Sequence, residues 1–148
     1  MANPLDLLAI GAHPDDAEMT SGGWLALAHK QGHSTGILHL TRGEMGTHGT
    51  PETREQEARA AAAVLGAQVH FAGMRDGFLD DDADSVRVVV EQIRALQPAV
   101  VIAPYPRCHH PDHEAAARLC RKAVHFASLK GFLTERPAHR VHRLVHAR

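Results

Sequence analysis

With 148 residues, 44% hydrophobic and 22% charged, this chain is long enough to bury the core of one globular domain. The formal net charge is −1 and no long run of one sign occurs, which argues against a nucleic-acid-binding surface. No apolar stretch approaches the ~18 residues of a membrane span. Its cysteines, Cys108 and Cys120, form neither a metal-binding pair nor a disulfide framework. We therefore expect a cytoplasmic protein that binds neither membranes nor nucleic acid.

The chain alternates between apolar runs typical of strands and amphipathic runs typical of helices. Residues 5–11 predict a buried strand, and residues 21–31 predict a helix that ends at Gly32. A strand at 34–41 and a helix at 52–65 follow. The later predicted elements are a strand at 68–72, a helix at 84–96, a strand at 98–103, a helix at 112–127 and a strand at 140–147.

This alternation predicts an α/β fold, a doubly wound and mostly parallel sheet with helices on both faces. In such sheets, sites form beyond the carboxyl ends of the strands, at the point where strand order reverses. In the common order 3-2-1-4-5, the first and fourth strands are neighbours at that point. We therefore expect the residues that follow these two strands to share one site.

Imidazole and carboxylate groups follow both strands. The segment 12–18, AHPDDAE, comes directly after the first apolar run, and the segment 110–113, HPDH, follows the fourth. Zinc in a hydrolytic site takes three ligands from His and Asp/Glu and leaves one position for water. His13, Asp16 and His113 can supply these ligands, although the residues alone leave open which of Asp15 and Asp16 binds the metal. The two segments therefore predict one metal site.

The neighbouring side chains fit the remaining roles of a metal-dependent hydrolase. Asp15, if it is not a ligand, is the candidate general base. His110 could donate a proton to a leaving amine or stabilise an oxyanion, and Asp112 could orient a histidine ligand through a hydrogen bond. The simpler alternative is that Asp15, Asp16 and Asp112 only cap the helices that follow them.

Together the two segments resemble the PIG-L/LmbE family of zinc-dependent N-acetylglucosamine deacetylases. The segment 41–47, TRGEMGT, and the helix that carries Arg54, Glu55 and Glu57 match as well, so the resemblance covers nearly all of the chain. The branch that it resembles most contains the N-acetylglucosaminyl-malate deacetylase of bacillithiol biosynthesis.

The resemblance implies a Rossmann-like fold in which His13, Asp16 and His113 hold zinc. The sequence leaves open whether the metal in the cell is zinc or ferrous iron. The resemblance also implies that Asp15 is the general base and that His110 is an acid or an oxyanion stabiliser. The substrate would be an amino-sugar conjugate from which acetate is released.

Two further residues belong to the expected substrate site. Arg54 matches the family's active-site arginine, near the substrate and the oxyanion, and Glu44 could bind sugar hydroxyls. The resemblance also implies a homo-oligomer. Family chains continue further, so we expect residues 1–148 to be a single deacetylase domain without the usual C-terminal part.

Two other functions fit the same residues. One is a different metal-dependent hydrolase, such as a phosphoesterase, although a two-metal site would need more carboxylates at the crevice. The other is an inactive protein of the same fold that binds a sugar or a partner.

Overall fold

The computed structural model describes residues 3–148, which form a five-stranded sheet and four helices. In chain order the elements are β1 (Leu7–Gly11), α1 (Asp16–Lys30), β2 (Thr35–Thr41), α2 (Pro51–Leu65), β3 (Gln68–Met74), α3 (Ala83–Leu96), β4 (Val100–Pro104), α4 (Pro111–Ala127) and β5 (Arg143–Ala147). Each pair of neighbouring strands is parallel, and the order is β3-β2-β1-β4-β5. The predicted fold class and strand order are confirmed. None of these helices has the length and apolar character needed to cross a membrane.

The sheet is buried on both faces, which explains why its central strands read as continuous apolar runs. On one face, Leu38 and Val101 pack with Val89 of α3 and Leu119 of α4. The opposite face has a smaller cluster, in which Ile37 and Ile102 of the sheet pack with three residues of α1 and α2: Ala17, Leu25 and Ala62. Helices therefore cover both faces, two on each.

Several element boundaries differ from those predicted, and α1 differs most. The helix begins at Asp16 rather than at residue 21. Its first turns bury the small residues Ala17 and Ser21 and leave Met19 exposed, so they carry little of the apolar periodicity that marks a helix in sequence. At the other end of the preceding strand, Leu5 is buried but lies outside β1, which starts at Leu7. The predicted strand was therefore too long and the predicted helix too short.

Candidate metal centre

The strand order brings the two predicted segments together. Residues Leu7 to Ala9 of β1 pair in register with Val100 to Ile102 of β4, so both strands end at the same edge of the sheet. Segment 12–18 leaves β1 there and starts α1, while segment 110–113 starts α4. The rings of His13 and His113, far apart in sequence, have their centroids 5.4 Å apart.

His13, Asp16 and His113, which we call the ligand trio, converge on one point. Asp16 Oδ2 lies 3.3 Å from His13 Nδ1 and 3.1 Å from His113 Nε2, and one ligand atom from each residue lies within 4.8 Å of the others. Two imidazole nitrogens and one carboxylate oxygen form a donor set that suits zinc. The structure thus brings the three predicted ligands together, and their binding of a metal stays a prediction.

A second group consists of His13, His110 and Asp112, and one ligand atom from each of these residues also lies within 4.8 Å of the others. Its atoms are already engaged within the protein: Asp112 Oδ2 lies 2.8 Å from His13 Nε2 and accepts the N–H of Gly77, and Oδ1 accepts the N–H of Leu79. His110 Nδ1 accepts the N–H of Asp112. The ligand trio therefore offers the better site, and Asp112 lies where it can orient His13 from behind.

Sequence reasoning missed Asp76, which also contacts His13. Its Oδ1 lies 3.0 Å from His13 Nε2, and its Oδ2 accepts the N–H of Met45 at 2.7 Å. The side chain is almost fully buried in the loop after β3. The rule that sites gather at the carboxyl ends of parallel strands also applies to β3 and could have identified this residue.

Carboxylates surround His13 and favour a positive charge there. Burial alone would lower the pKa of His13, but hydrogen bonds to Asp16 and Asp112 raise this pKa to about 9. Burial opposes ionisation of Asp16, yet hydrogen bonds from the side chain and backbone of His13 hold the pKa of this carboxyl below its usual value. A pocket that stabilises a cation in this way suits a divalent metal.

His110 stands beside the ligand trio, with its ring centroid 4.7 Å from that of His13. Because its Nδ1 accepts the N–H of Asp112, the neutral ring carries its proton on Nε2. Burial, together with the positive charges of His13 and His113, lowers the pKa of His110. This shift favours the neutral ring, which offers one N–H donor and so suits stabilisation of an oxyanion.

Asp15 differs from Asp16 in exposure and in its contacts. It is the N-cap of α1, is exposed to solvent, and belongs to the wall of a cleft of about 460 Å³ that His13, Arg54 and His110 also line. The carboxylate of Asp15 lies outside the ligand trio. The structure therefore separates two adjacent aspartates that the sequence left equivalent.

The two predicted substrate residues occupy different surroundings. Arg54 is half-buried at the cleft and donates to the carbonyls of Gly43 and Pro14 at 3.1 and 3.4 Å. Glu44 accepts the N–H of Arg42 through one carboxylate oxygen and that of Asp76 through the other. It thus ties two loops of the site together, and its contact with substrate stays a prediction.

Comparison with a solved structure supports the fold. The conserved protein TT1542 from Thermus thermophilus superposes with a TM-score of 0.94 at 46% identity, covering 97% of this chain and 66% of that one.

Two curated relatives show that similar chains are named for different reactions. Diacetylchitobiose deacetylase of Thermococcus kodakarensis is 32% identical over 137 residues, which is 85% of this chain and 51% of the relative. The 4-oxalmesaconate hydratase of Pseudomonas putida is 29% identical over 142 residues, which is 84% of this chain and 54% of the relative. The chain thus spans about half the length of these relatives.

The family model described as PIG-L, GlcNAc-PI de-N-acetylase, matches residues 8–124, a range that includes both predicted metal-binding segments, all of α1, α2 and α3, and most of α4. On that match, this chain belongs to the PIG-L family.

Proposed function

We propose that this protein is a zinc-dependent hydrolase that removes the acetyl group from the 2-acetamido nitrogen of an N-acetylglucosamine conjugate. The observation that carries the proposal is the ligand trio at the floor of a cleft that Asp15, Arg54 and His110 also line. Family membership and the deacetylase among the curated relatives support the same chemistry.

Each side chain of the cleft has a separate role in amide hydrolysis. Zinc, when held by the ligand trio, supplies a Lewis acid that activates water and polarises an acyl oxygen. Asp15 takes the proton of the attacking water and then returns it to the amide nitrogen as the C–N bond breaks. The Nε2–H of His110 donates a hydrogen bond to the oxyanion, and Arg54, which lines the same cleft, adds positive charge. The products are acetate and a free amine.

A conjugate suits the site better than a free sugar because a second cavity adjoins the trio. This cavity, about 480 Å³, shares Asp16 and His113 with the cleft and is also lined by Tyr105 and Arg107. An aglycone with an acidic group could pair with Arg107 in this cavity. N-acetylglucosaminyl-malate, as in bacillithiol biosynthesis, is the candidate that the sequence resemblance favours.

The proposal also covers the cellular compartment, the metal and the oligomeric state. Both cysteines are free thiols, which suits a reducing cytoplasm. Ferrous iron is the alternative to zinc in the cell, because imidazole and carboxylate ligands suit both metals. The sequence resemblance favours a homo-oligomer, and light scattering coupled to size-exclusion chromatography tests this.

A hydratase is the second candidate, because one relative carries that name. A hydratase adds water across a carbon–carbon double bond, whereas a deacetylase releases acetate. Metal-free protein, reloaded with zinc or with ferrous iron under anaerobic conditions, should release acetate from N-acetylglucosaminyl-malate or diacetylchitobiose. A protein that instead hydrates an unsaturated dicarboxylic acid, or that binds sugar without turnover, would contradict the proposal.

Asp15→Asn tests the role of the base. We expect turnover to fall by about 10²–10⁴-fold, the usual contribution of a positioned general base, while zinc stays bound. Acetate release gives the rate, and elemental analysis gives the zinc content. Asp16→Asn is the matched comparison and should lose zinc. If Asp15→Asn loses the metal and Asp16→Asn keeps it, the two roles are exchanged.

A further inference from the structure

The backbone of Asp15 has a conformation that is uncommon for a residue other than glycine. Its φ is +89°, and among residues 3–148 only one other non-glycine residue, Gln97, has a positive φ. The other helices with acidic or hydroxyl N-caps start differently: Thr50 of α2 has φ −108° and Asp82 of α3 has φ −70°. A left-handed backbone persists only where surrounding contacts hold it, and such residues cluster at functional sites. The conformation of Asp15 therefore indicates that its side-chain direction is under a functional constraint.

The peptide between Pro14 and Asp15 is held at both ends. Its N–H, on Asp15, donates to Glu18 Oε2 at 2.9 Å. Its carbonyl, on Pro14, accepts from Arg54 Nη2 at 3.4 Å. The next peptide is held as well, since the N–H of Asp16 donates to the carbonyl of His13. With both flanking peptide planes held, φ and ψ of Asp15 are determined.

The buried side chain of His39 lies next to the carboxylate of Glu18. Glu18 Oε1 lies 3.5 Å from Nε2 of His39, and within residues 3–148 neither this oxygen nor either ring nitrogen has a hydrogen-bond partner. His39 is fully buried in β2, and its ring packs on Phe71 with centroids 5.2 Å apart. Glu18 therefore lies between a rigid strand and the Asp15 backbone, which restricts its movement.

We propose that Glu18, backed by His39, is a positioning residue that keeps Asp15 in its left-handed conformation and so directs the Asp15 carboxylate into the cleft. The proposal rests on the proposed role of Asp15 as general base. A glutamate at this position of a helix commonly accepts the N–H of the N-cap residue, and that contact alone would contribute only to helix stability. Here the same contact also fixes the left-handed φ of Asp15 and hence the direction of its side chain, which gives it a role in catalysis.

Three variants test the proposal. Glu18→Ala removes the acceptor, Glu18→Gln keeps a carbonyl oxygen that can accept the same N–H, and Asp82→Ala removes the cap of α3, whose side chain accepts the N–H of Ser85. We expect Glu18→Ala to lower kcat by about 10–100-fold, as displacement of a reacting group by about 1 Å does. KM and zinc content should change little. Glu18→Gln should recover most of kcat, and Asp82→Ala should lower the Tm without lowering kcat.

A crystal structure of Glu18→Ala, or of Glu18→Gln if the alanine variant does not fold, gives a readout independent of activity. Asp15 should leave the left-handed region in the alanine variant and stay there in the glutamine variant. The proposal is overturned if Asp15 keeps its φ in the alanine variant, or if kcat is unchanged. If the parent protein turns over no acetylated conjugate, the proposed function fails, and the crystal structures still decide whether Glu18 controls Asp15.

Discussion

Neighbouring carboxylates at this site have different surroundings. Asp16 begins α1 and contacts two imidazoles, while Asp15, one residue earlier, is left-handed and lines the cleft without joining the ligand trio. The sequence His-Pro-Asp-Asp by itself does not distinguish the two aspartates. The distinction depends on Glu18 and Arg54, which hold the peptide plane before Asp15 from opposite sides.

Asp76 should strengthen metal binding without being a ligand. The carboxylates of Asp76 and Asp112 both contact His13 Nε2. The other ring nitrogen, Nδ1, therefore faces Asp16 and stays available for a metal. We expect Asp76→Asn to weaken zinc binding by about 10–100-fold, the usual effect of losing such a partner. Competition with a chromophoric chelator measures the affinity. Asp84→Asn, the same change on the exposed side of α3, is the control, and equal affinities in both variants would contradict the role of Asp76.

His39 should make stability depend on pH. Burial lowers the pKa of His39 from 6.5 to about 4. Between these values the unfolded chain binds a proton that the folded protein excludes, so stability is complete above pH 6.5 and falls as the pH drops towards 4. At about 1.4 kcal/mol per unit, this amounts to a loss of about 2 kcal/mol between pH 6.5 and 5.

Urea unfolding of chelator-treated protein across this pH range measures the effect. His39→Leu, which cannot take up the proton, should lose about 2 kcal/mol less than the parent over the same interval. Equal pH slopes in the two proteins would show that His39 is not buried in its neutral form.

At the scale of elements, one buried arginine of α3 holds the connection between α4 and β5. Arg94 is 3% exposed, and within residues 3–148 it has no carboxylate partner in an ion pair. Its guanidinium donates to Thr134 Oγ1 and to the carbonyls of Phe126, Ala127, Leu129, Phe132 and Arg136. A single side chain thus satisfies the last carbonyls of α4 and the turns that follow it.

Arg94→Met should destabilise the protein by about 3 kcal/mol or more, because hydrogen bonds to a charged group contribute about 1.5–3 kcal/mol each and the carbonyls would be left without donors. Urea unfolding measures the loss, and hydrogen exchange should show faster exchange in residues 126–136. Arg87→Met is the matched control: Arg87 also donates to this segment, at the carbonyl of Leu133, but from an exposed position. If both variants lose the same stability, Arg94 does not organise the segment.

The elements themselves were largely predictable. The apolar face of α3, from Val86 to Leu96, has helical spacing and is buried as expected. The start of α1 was not predictable from periodicity, because buried Ala17 and Ser21 give a weak signal and the helix start depends on the contact between Asp15 and Glu18. Hydrophobic periodicity therefore locates elements well where large side chains are buried and poorly where small ones are.

For the molecule as a whole, a metal at the ligand trio would link the two halves of the chain. His13 and Asp16 follow β1, and His113 belongs to α4. Zinc that binds only the folded protein should therefore raise the free energy of unfolding, by about 2.7 kcal/mol at a hundredfold excess over Kd. Thermal unfolding with chelator and with zinc measures the shift. His113→Ala should abolish most of it, and an undiminished shift would place the metal elsewhere.

By itself, the sequence determined the α/β class and the strand order, because periodicity and the rules of parallel sheets are local or topological. It also predicted that His13, Asp16 and His113 lie together, because topology brings their segments to one edge of the sheet. Only the tertiary structure decided that Asp76 contacts His13, that Asp15 lies outside the ligand trio to which Asp16 belongs, and that Glu44 ties two loops. These depend on hydrogen bonds between segments remote in sequence, and no local pattern encodes such distances.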